Sequence, residues 1–140
     1  MNKYIYILLL IIFGLKTHSY ADSYKGIKKI DMEVFRNGEV IGYSNYFFDQ
    51  TDNRVIIKNH TKFTVELFGV SVFSIASEAI ETYKNDELIY FESNTSQNDK
   101  KKYVNLNYDQ SLKKLIIDGS SYKGEASTDC IVGNWWNHKI

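Results

Sequence analysis

Three glutamates carry most of the acid–base chemistry that this sequence could perform. Glu78 and Glu81 lie in an otherwise neutral stretch, and Glu92 follows Tyr90 and Phe91. Two carboxylates about 5–10 Å apart across a cleft are the catalytic pair of a glycoside hydrolase. The alternative is ordinary strand charge, in which each glutamate pairs with a lysine on the neighbouring strand. The spacing leaves both interpretations open and favours surface charge.

The histidines and the single cysteine form no recognisable catalytic or metal-binding motif. His60 alternates with Lys58 and Lys62, as a solvated strand residue does, and His138 is two residues from the C-terminus. Neither has the spacing of a metal site. Cys130 could act as a nucleophile or link two chains, but a lone cysteine is more often a small buried hydrophobe. Nucleophile-elbow, phosphate-loop and dinucleotide motifs are absent. We therefore expect no catalytic residues, no cofactor and no metal.

The N-terminus has the features of a signal peptide. Lys3 supplies a positive charge, and the run Tyr4–Leu15 that follows is almost entirely apolar. Ser19 and Ala21 then occupy the small-residue positions that a signal peptidase requires. Cleavage is therefore expected before Asp22.

This leader divides the chain into a signal peptide, residues 1–21, and a single β domain, residues 22–140. A membrane anchor is the alternative interpretation of the leader. Its apolar run would span about 18 Å as a helix, well short of the ~30 Å hydrocarbon core. We expect a periplasmic or secreted protein with no stable membrane anchor after cleavage.

The charge balance argues against nucleic acid as a partner. The chain has 17 basic and 17 acidic residues, and Lys3 and Lys16 leave with the leader, so the domain keeps a slight acidic excess. Binding to nucleic acid requires a concentrated basic surface. The one basic cluster, Lys100–Lys102, follows the polar residues Gln97–Asp99, which together predict a solvated turn.

Alternating apolar and polar residues run through most of the domain and predict β-strands. Aromatic residues make up 15% of the chain and proline is absent, which also favours strands. Asn37-Gly38 is a strong hairpin signal, Gly69 suggests a bend or bulge, and Gly119–Ser127 predicts a longer loop. The predicted strands cover residues 30–35, 40–48, 54–66, 70–84, 88–95, 103–108 and 112–118, and a last apolar segment covers 128–136.

The longest alternation, Arg54–Glu66, predicts which face of the sheet is buried. The residues expected to face the core are Val55, Ile57, Phe63 and Val65, and those expected to face water are Lys58, Lys62 and Glu66. A meander of six to eight strands with one apolar face must bury that face on a second sheet, on a helix or by curling on itself. We predict an all-β, mainly antiparallel fold, a curved meander sheet of half-barrel or sandwich-like form.

Four short motifs follow one another in the order seen in one protein family. They are Asn37-Gly38 with Ile41-Gly42, Glu81–Leu88, Glu92–Lys100, and Cys130 with Trp136-Asn137. They are similar, in turn, to an Asn/Asp-Gly hairpin before Ile-Gly, to Glu-x-Trp-x-Asp/Asn-Gly-x-Leu, to Ser-x-Thr-x-x-Asn-Gly-Lys, and to a Cys or Ser before Trp-Asn. This order resembles a family of exported bacterial proteins classed as a domain of unknown function.

The sequence departs from the family pattern in three places. Tyr83 stands where the family often has Trp, and Asp86-Glu87 replaces the Asn/Asp-Gly turn. Family members continue for several strands past the Trp-Asn pair, so the resemblance implies a C-terminally truncated or divergent member. It also implies an antiparallel β meander, outwardly similar to the half-barrels of periplasmic lipoprotein carriers, whose concave faces hold acyl chains. It implies no catalytic residue.

These observations favour non-enzymatic binding of an apolar or amphipathic ligand, such as a lipid. One alternative is an envelope-acting hydrolase that uses Glu78, Glu81 and Glu92, and another is an interaction module that adds a strand to a partner. The apolar segment Thr128–Trp136 at an open sheet edge also predicts a weak homodimer, with Cys130 near the contact.

Overall fold

In the part of the chain that the structure describes, eight β-strands form one open antiparallel sheet. The computed structural model describes residues 26–130, 132 and 133. Each strand pairs with its neighbours in sequence, in the order β1 to β8. The strands are β1 (Lys29–Arg36), β2 (Glu39–Thr51), β3 (Arg54–Leu67), β4 (Val70–Lys84), β5 (Glu87–Gln97), β6 (Lys100–Asp109), β7 (Lys114–Gly119) and β8 (Lys123–Ala126). The predicted all-β meander is confirmed.

Among the residues described, none belongs to a helix long and apolar enough to cross a membrane. The predicted signal peptide, residues 1–21, lies outside the described part of the chain. The described strands form a single sheet, as a half-barrel requires, and no second sheet is stacked on it within that part.

Two-residue turns connect most of the long strands. Asn37-Gly38, Asn85-Asp86 and Asn98-Asp99 have positive φ at both positions, the geometry of a type I′ hairpin turn. The predicted Asn37-Gly38 hairpin is therefore confirmed. Phe68-Gly69 has the same geometry and joins β3 to β4, so Gly69 closes a tight turn, sharper than the bend or bulge that we predicted.

The prediction of a loop over Gly119–Ser127 was wrong, because β8 lies inside it. The N–H of Gly119 donates to the carbonyl of Tyr122 at 2.9 Å, which reverses the chain at once. The returning residues Lys123–Ala126 then pair with β7. Only Gly124 and Ala126 of this strand are partly buried, so it lacks the bulky apolar residues that mark a strand in sequence.

Other strand boundaries also differ from the prediction, by one to three residues. β7 begins at Lys114, two residues after its predicted start at Leu112. The reason is a turn, in which the carboxylate of Asp109 accepts hydrogen bonds from the N–H groups of Ser111 and Leu112. Lys100–Lys102 open β6 rather than forming a solvated turn.

One face of the sheet, called the inner face below, carries the apolar core. Its buried residues form two clusters, Tyr46, Phe48 and Ile57 on β2 and β3, and Leu88, Leu106 and Leu115 on β5 to β7. Tyr83 on β4 packs against both clusters and joins them. The predicted faces of β3 are confirmed, since Ile57 is buried, Val55, Phe63 and Val65 are half-buried, and Lys58, Lys62 and Glu66 are exposed.

Among the described strands, three β-bulges interrupt the pairing, at Val34/Phe35, at Val65/Glu66 and at Thr82/Tyr83. A bulge bends its strand and increases the local twist. After β8 the chain returns over the inner face, where Cys130 and Val132 pack against the Leu88, Leu106 and Leu115 cluster. Most of the predicted apolar segment beyond this point, including Trp135 and Trp136, lies outside the described residues.

Candidate ligand-binding face

A row of hydroxyl side chains crosses the inner face beside its apolar core. Ser44, Thr61, Ser77 and Thr95 lie directly opposite one another on β2 to β5, and we call them the hydroxyl row. The Oγ of Ser44 is 2.7 Å from Oγ1 of Thr61, and the Oγ of Ser77 is 2.7 Å from Oγ1 of Thr95. Such cross-strand pairs form when hydroxyls face each other on adjacent strands.

The two ends of the hydroxyl row differ in how they are satisfied. At the β2–β3 end, Asn59 donates from Nδ2 to Oγ of Ser44 at 3.2 Å and accepts from Oγ1 of Thr61 at 3.0 Å. Ser44 and Asn59 are buried, so this end is a closed network that supports the fold. At the other end Ser77 and Thr95 are only half-buried. Their hydroxyls are the ones that a ligand can reach.

The row ends on β6 at a lysine, because Thr95 lies directly opposite Lys102. Lys102 is exposed, and its Nζ donates to Oε1 of Gln97 at 2.8 Å. Its neighbour Lys101 lies opposite Ser96 and points to the other face. The side chains of Lys101 and Lys102 therefore lie on opposite faces of the sheet.

Beside this lysine the inner face has an open cavity of about 380 Å³. Its apolar wall includes Val104, Ile117 and Tyr122, and its polar border includes Ser93, Thr95 and Lys102. Val104 and Tyr122 are 36% and 60% exposed, so this wall is open to solvent. The cavity therefore places an apolar surface directly beside hydroxyl groups and a cation.

Two glycines shape the edge of this cavity. A Cβ on Gly124 would lie 2.3 Å from the hydroxyl of Tyr122, so the tyrosine ring can lie against β8 only because residue 124 has no side chain. A Cβ on Gly119, which lies opposite Val104, would be 3.1 Å from the carbonyl oxygen of Tyr122. Small residues thus let the Tyr122 loop approach the sheet closely.

The outer face carries a second concavity, of about 470 Å³. Its lining combines apolar surface with groups of both charges and includes Tyr43, His60, Lys62 and Glu78. Nδ1 of His60 lies 3.7 Å from Oε1 of Glu78, and its ring meets the ring of Phe47 edge to face at 5.8 Å. Both side chains of the pair are largely exposed, so the predicted solvated position of His60 is confirmed.

The three candidate glutamates are not brought to one cleft. Glu81 lies on the inner face opposite Ile57, where it is 1% exposed and its Oε2 accepts a hydrogen bond from the Tyr83 hydroxyl at 2.7 Å. Glu78 and Glu92 lie on the outer face, opposite His60 and Ile80. The sheet therefore separates Glu81 from the other two carboxylates.

The carboxylate of Glu92 accepts hydrogen bonds from two neighbouring side chains, and one of these bonds shifts the pKa of Tyr90. The Tyr90 hydroxyl donates to Oε2 of Glu92, and Nδ2 of Asn94 donates to its Oε1 at 3.1 Å. The hydrogen bond to the carboxylate raises the pKa of Tyr90, because ionising the phenol would remove the donor. Burial similarly raises the pKa of Tyr46 in the first core cluster. The first shift thus reflects a hydrogen bond between neighbouring side chains, and the second reflects packing in the core.

Cys130 packs against the second core cluster but is only half-buried, so it is more exposed than the predicted small buried hydrophobe. Burial raises the pKa of its thiol, with a further contribution from the charge of Asp129. His138 lies outside the described residues. Within the part of the chain that the structure describes, no three His, Cys, Asp or Glu side chains are grouped so as to hold a metal ion.

We did not predict the hydroxyl row, Lys102 or Tyr122 from the sequence. One signal was available, because the alternation within β3 puts Asn59 and Thr61 on the same face as Val55 and Ile57. Two polar residues on a core face need hydrogen-bond partners, and those partners come from β2. Their identity depends on the register between strands.

A family comparison agrees with the motifs. The family described as a domain of unknown function, DUF6134, matches residues 32–140. No curated protein and no solved structure gives a match.

Proposed function

The chain belongs to the DUF6134 family, a domain family of unknown function, and we propose that it binds an apolar or amphipathic ligand, such as a lipid, without enzymatic chemistry. The observation that carries the proposal is the inner-face cavity bounded by Val104, Ile117 and Tyr122. Its volume of about 380 Å³ lies within the range of about 300–1,000 Å³ that is usual for small-molecule sites.

The chemistry of the cavity wall supports an apolar contact. Exposed apolar side chains are common singly, but here Val104 and Tyr122 are exposed on the same concave surface. Transfer of an alkyl chain from water onto such a wall is favourable by about 0.8 kcal/mol for each CH₂ group that is fully buried. Ser93 and Thr95 at the border supply hydrogen bonds for a polar end.

The carboxylate hydrolase receives less support. A glycosidase needs its two carboxyl groups on one cleft, and Glu81 is buried on the face opposite to Glu78 and Glu92. Glu78 and Glu92 are themselves engaged by His60 and by Tyr90 and Asn94.

The proposal includes export. The leader features at Lys3, Tyr4–Leu15, Ser19 and Ala21 support cleavage before Asp22 and action in the periplasm or outside the cell. N-terminal sequencing of protein recovered from that compartment would begin at Asp22. A retained apolar leader would instead indicate a tethered domain.

Displacement of a neutral apolar fluorophore by 1-dodecanol tests the binding function. A carboxylate on the cavity wall must be desolvated by an alkyl chain, so Val104→Asp is expected to weaken dodecanol binding by about tenfold or more. Val40→Asp is the matched control, since Val40 is exposed on β2 away from the cavity. Wild-type protein that binds no dodecanol, or equal affinity in the two variants, would refute the proposal.

A second candidate, strand addition, is favoured by the β3–β4 hairpin. β2 pairs with β3 only as far as Phe63, and β5 pairs with β4 only as far as Ile75, so the hairpin extends beyond both neighbours. Its tip carries Phe68, which is fully exposed, and Val70, which is 64% exposed. Unpaired edges of this kind can pair with a second copy of the chain. Sedimentation would then show concentration-dependent dimers that Phe68→Asp abolishes, and a monomer at every concentration would exclude this role.

A further inference from the structure

The charged groups of the inner face are segregated to opposite ends. On strands β2 to β6, the inner-face cations are Lys100 and Lys102, opposite Gln97 and Thr95. The acid on these strands is Glu81, which is 1% exposed. Along β4 it is four residues from Ser77, about 13 Å at the usual rise of a strand. The accessible charge beside the cavity is therefore positive.

We propose that the inner-face site selects a single-chain amphiphile with an anionic head group and that Lys102 binds that head. This inference rests on the proposed function of the cavity and specifies its ligand class. The head group is defined by its chemistry, a carboxylate or phosphate at the end of an alkyl chain.

The contacts of Lys102 leave its ammonium group available. Its hydrogen bond goes to the neutral amide oxygen of Gln97 at 2.8 Å. No carboxylate of the described residues lies within ion-pair distance of it, whereas Lys114 and Lys123 are paired with Glu125 and Asp118. An ammonium has three donors, so at least two remain for an anion.

The hydroxyl row completes a head-group site. Thr95 lies directly opposite Lys102, and its hydroxyl is 2.7 Å from that of Ser77. Each hydroxyl has one proton, and only one of the two is needed for the bond between them. The other can turn toward an anion held by Lys102, which adds a second donor to the same oxygen atoms.

The tail direction follows from the strand geometry. Val104 is the next inner-face residue after Lys102 on β6, about 7 Å along the strand. Ile117 lies opposite Leu106, and Tyr122 flanks the cavity. A head on Lys102 therefore places the alkyl chain along Val104 and Ile117, toward the apolar core.

Two adjacent lysines provide a matched test. Dodecanoate and 1-dodecanol share a chain length and are titrated at pH 8 into wild type, Lys102→Gln and Lys101→Gln. Dodecanoate is kept below its critical micelle concentration and dodecanol below its solubility limit. Loss of a charge-assisted hydrogen bond should weaken dodecanoate binding to Lys102→Gln by about tenfold. Dodecanol binding to Lys102→Gln should weaken much less than dodecanoate binding, because a neutral head group has no charge-assisted contact to lose. Lys101→Gln should bind both probes as the wild type does. Both lysines are exposed, and circular dichroism would verify that each variant folds.

The possible results distinguish head-group binding by Lys102 from apolar binding by the cavity. Dodecanol binding with no preference for dodecanoate, or equal losses in the two lysine variants, would overturn the head-group assignment while the apolar site stands. Failure of the wild type to bind either probe would overturn both. Acetate serves as the tail-free probe, and displacement of dodecanoate by an equal concentration of acetate would reduce the site to an anion site and refute selection of an amphiphile. Dodecyl phosphate in place of dodecanoate distinguishes the two head groups.

Discussion

Removal of the Leu115 side chain should destabilise the fold strongly. Leu115 on β7 is completely buried and packs with Leu88 and Leu106. Leu115→Ala deletes three carbon atoms, which amounts to about 2.4 kcal/mol of lost transfer free energy. The cavity left behind adds to this, so the expected decrease in the free energy of unfolding is about 3–4 kcal/mol.

The same substitution at Leu112 is the control. Leu112 lies in the turn before β7 and is 54% exposed, so Leu112→Ala should cost less than about 0.5 kcal/mol. Urea denaturation followed by circular dichroism would measure both changes, and the midpoint should shift without a change of slope. Equal losses at the two positions would refute the reasoning. They would mean that the Leu115 side chain is no better packed than the exposed side chain of Leu112.

Two further predictions concern backbone contact and the single thiol. A Cβ on Gly42 would lie 2.1 Å from the carbonyl oxygen of Lys62, so Gly42→Ala should lower the free energy of unfolding, measured in urea, by roughly 3 kcal/mol. Gly119→Ala should lower it clearly less, because the nearest atom to a Cβ there is 3.1 Å away. Equal losses would contradict the β2–β3 register. Because burial raises the pKa of Cys130, its alkylation by iodoacetamide at pH 7.5 should be slower than that of a free thiol and should accelerate in urea. The folded state favours the neutral thiol, so its contribution to stability is fully present below the ordinary thiol pKa and is lost as the pH rises through the raised pKa of the folded state. Alkylation as fast as that of a free thiol would contradict the packing of Cys130.

The sequence was sufficient to predict the strands wherever alternation was long and apolar residues were bulky. In β3, Val55 and Ile57 alternate with Ile56 and Lys58, and the larger number of polar residues on the second face identified the core side. β8 was not predicted, because its inner-face residues Gly124 and Ala126 are small and bury little apolar surface. What holds β8 is its pairing with β7 and the turn closed by Gly119, and neither leaves a periodic signal.

The site was harder to predict than the fold, because it depends on register and not on pattern. Counted back from the Phe68-Gly69 turn, the pairing of Leu67 with Val70 would place Thr61 opposite Ala76. The bulge between Val65 and Glu66 shifts the pairing by one residue and places Thr61 opposite Ser77 instead.

A second bulge repeats this effect on the next strand pair. Counted back from the Asn85-Asp86 turn, the pairing of Lys84 with Glu87 would set Ser77 opposite Asn94, an outer-face residue. The bulge at Thr82/Tyr83 moves its partner to Thr95, and so to the strand position that faces Lys102. The continuous hydroxyl row thus exists because two bulges each add one residue in the same sense. A bulge is a local accommodation of twist with a weak sequence signature, so the alignment of polar groups that suggests a ligand-binding site becomes visible only when the strands are paired in three dimensions.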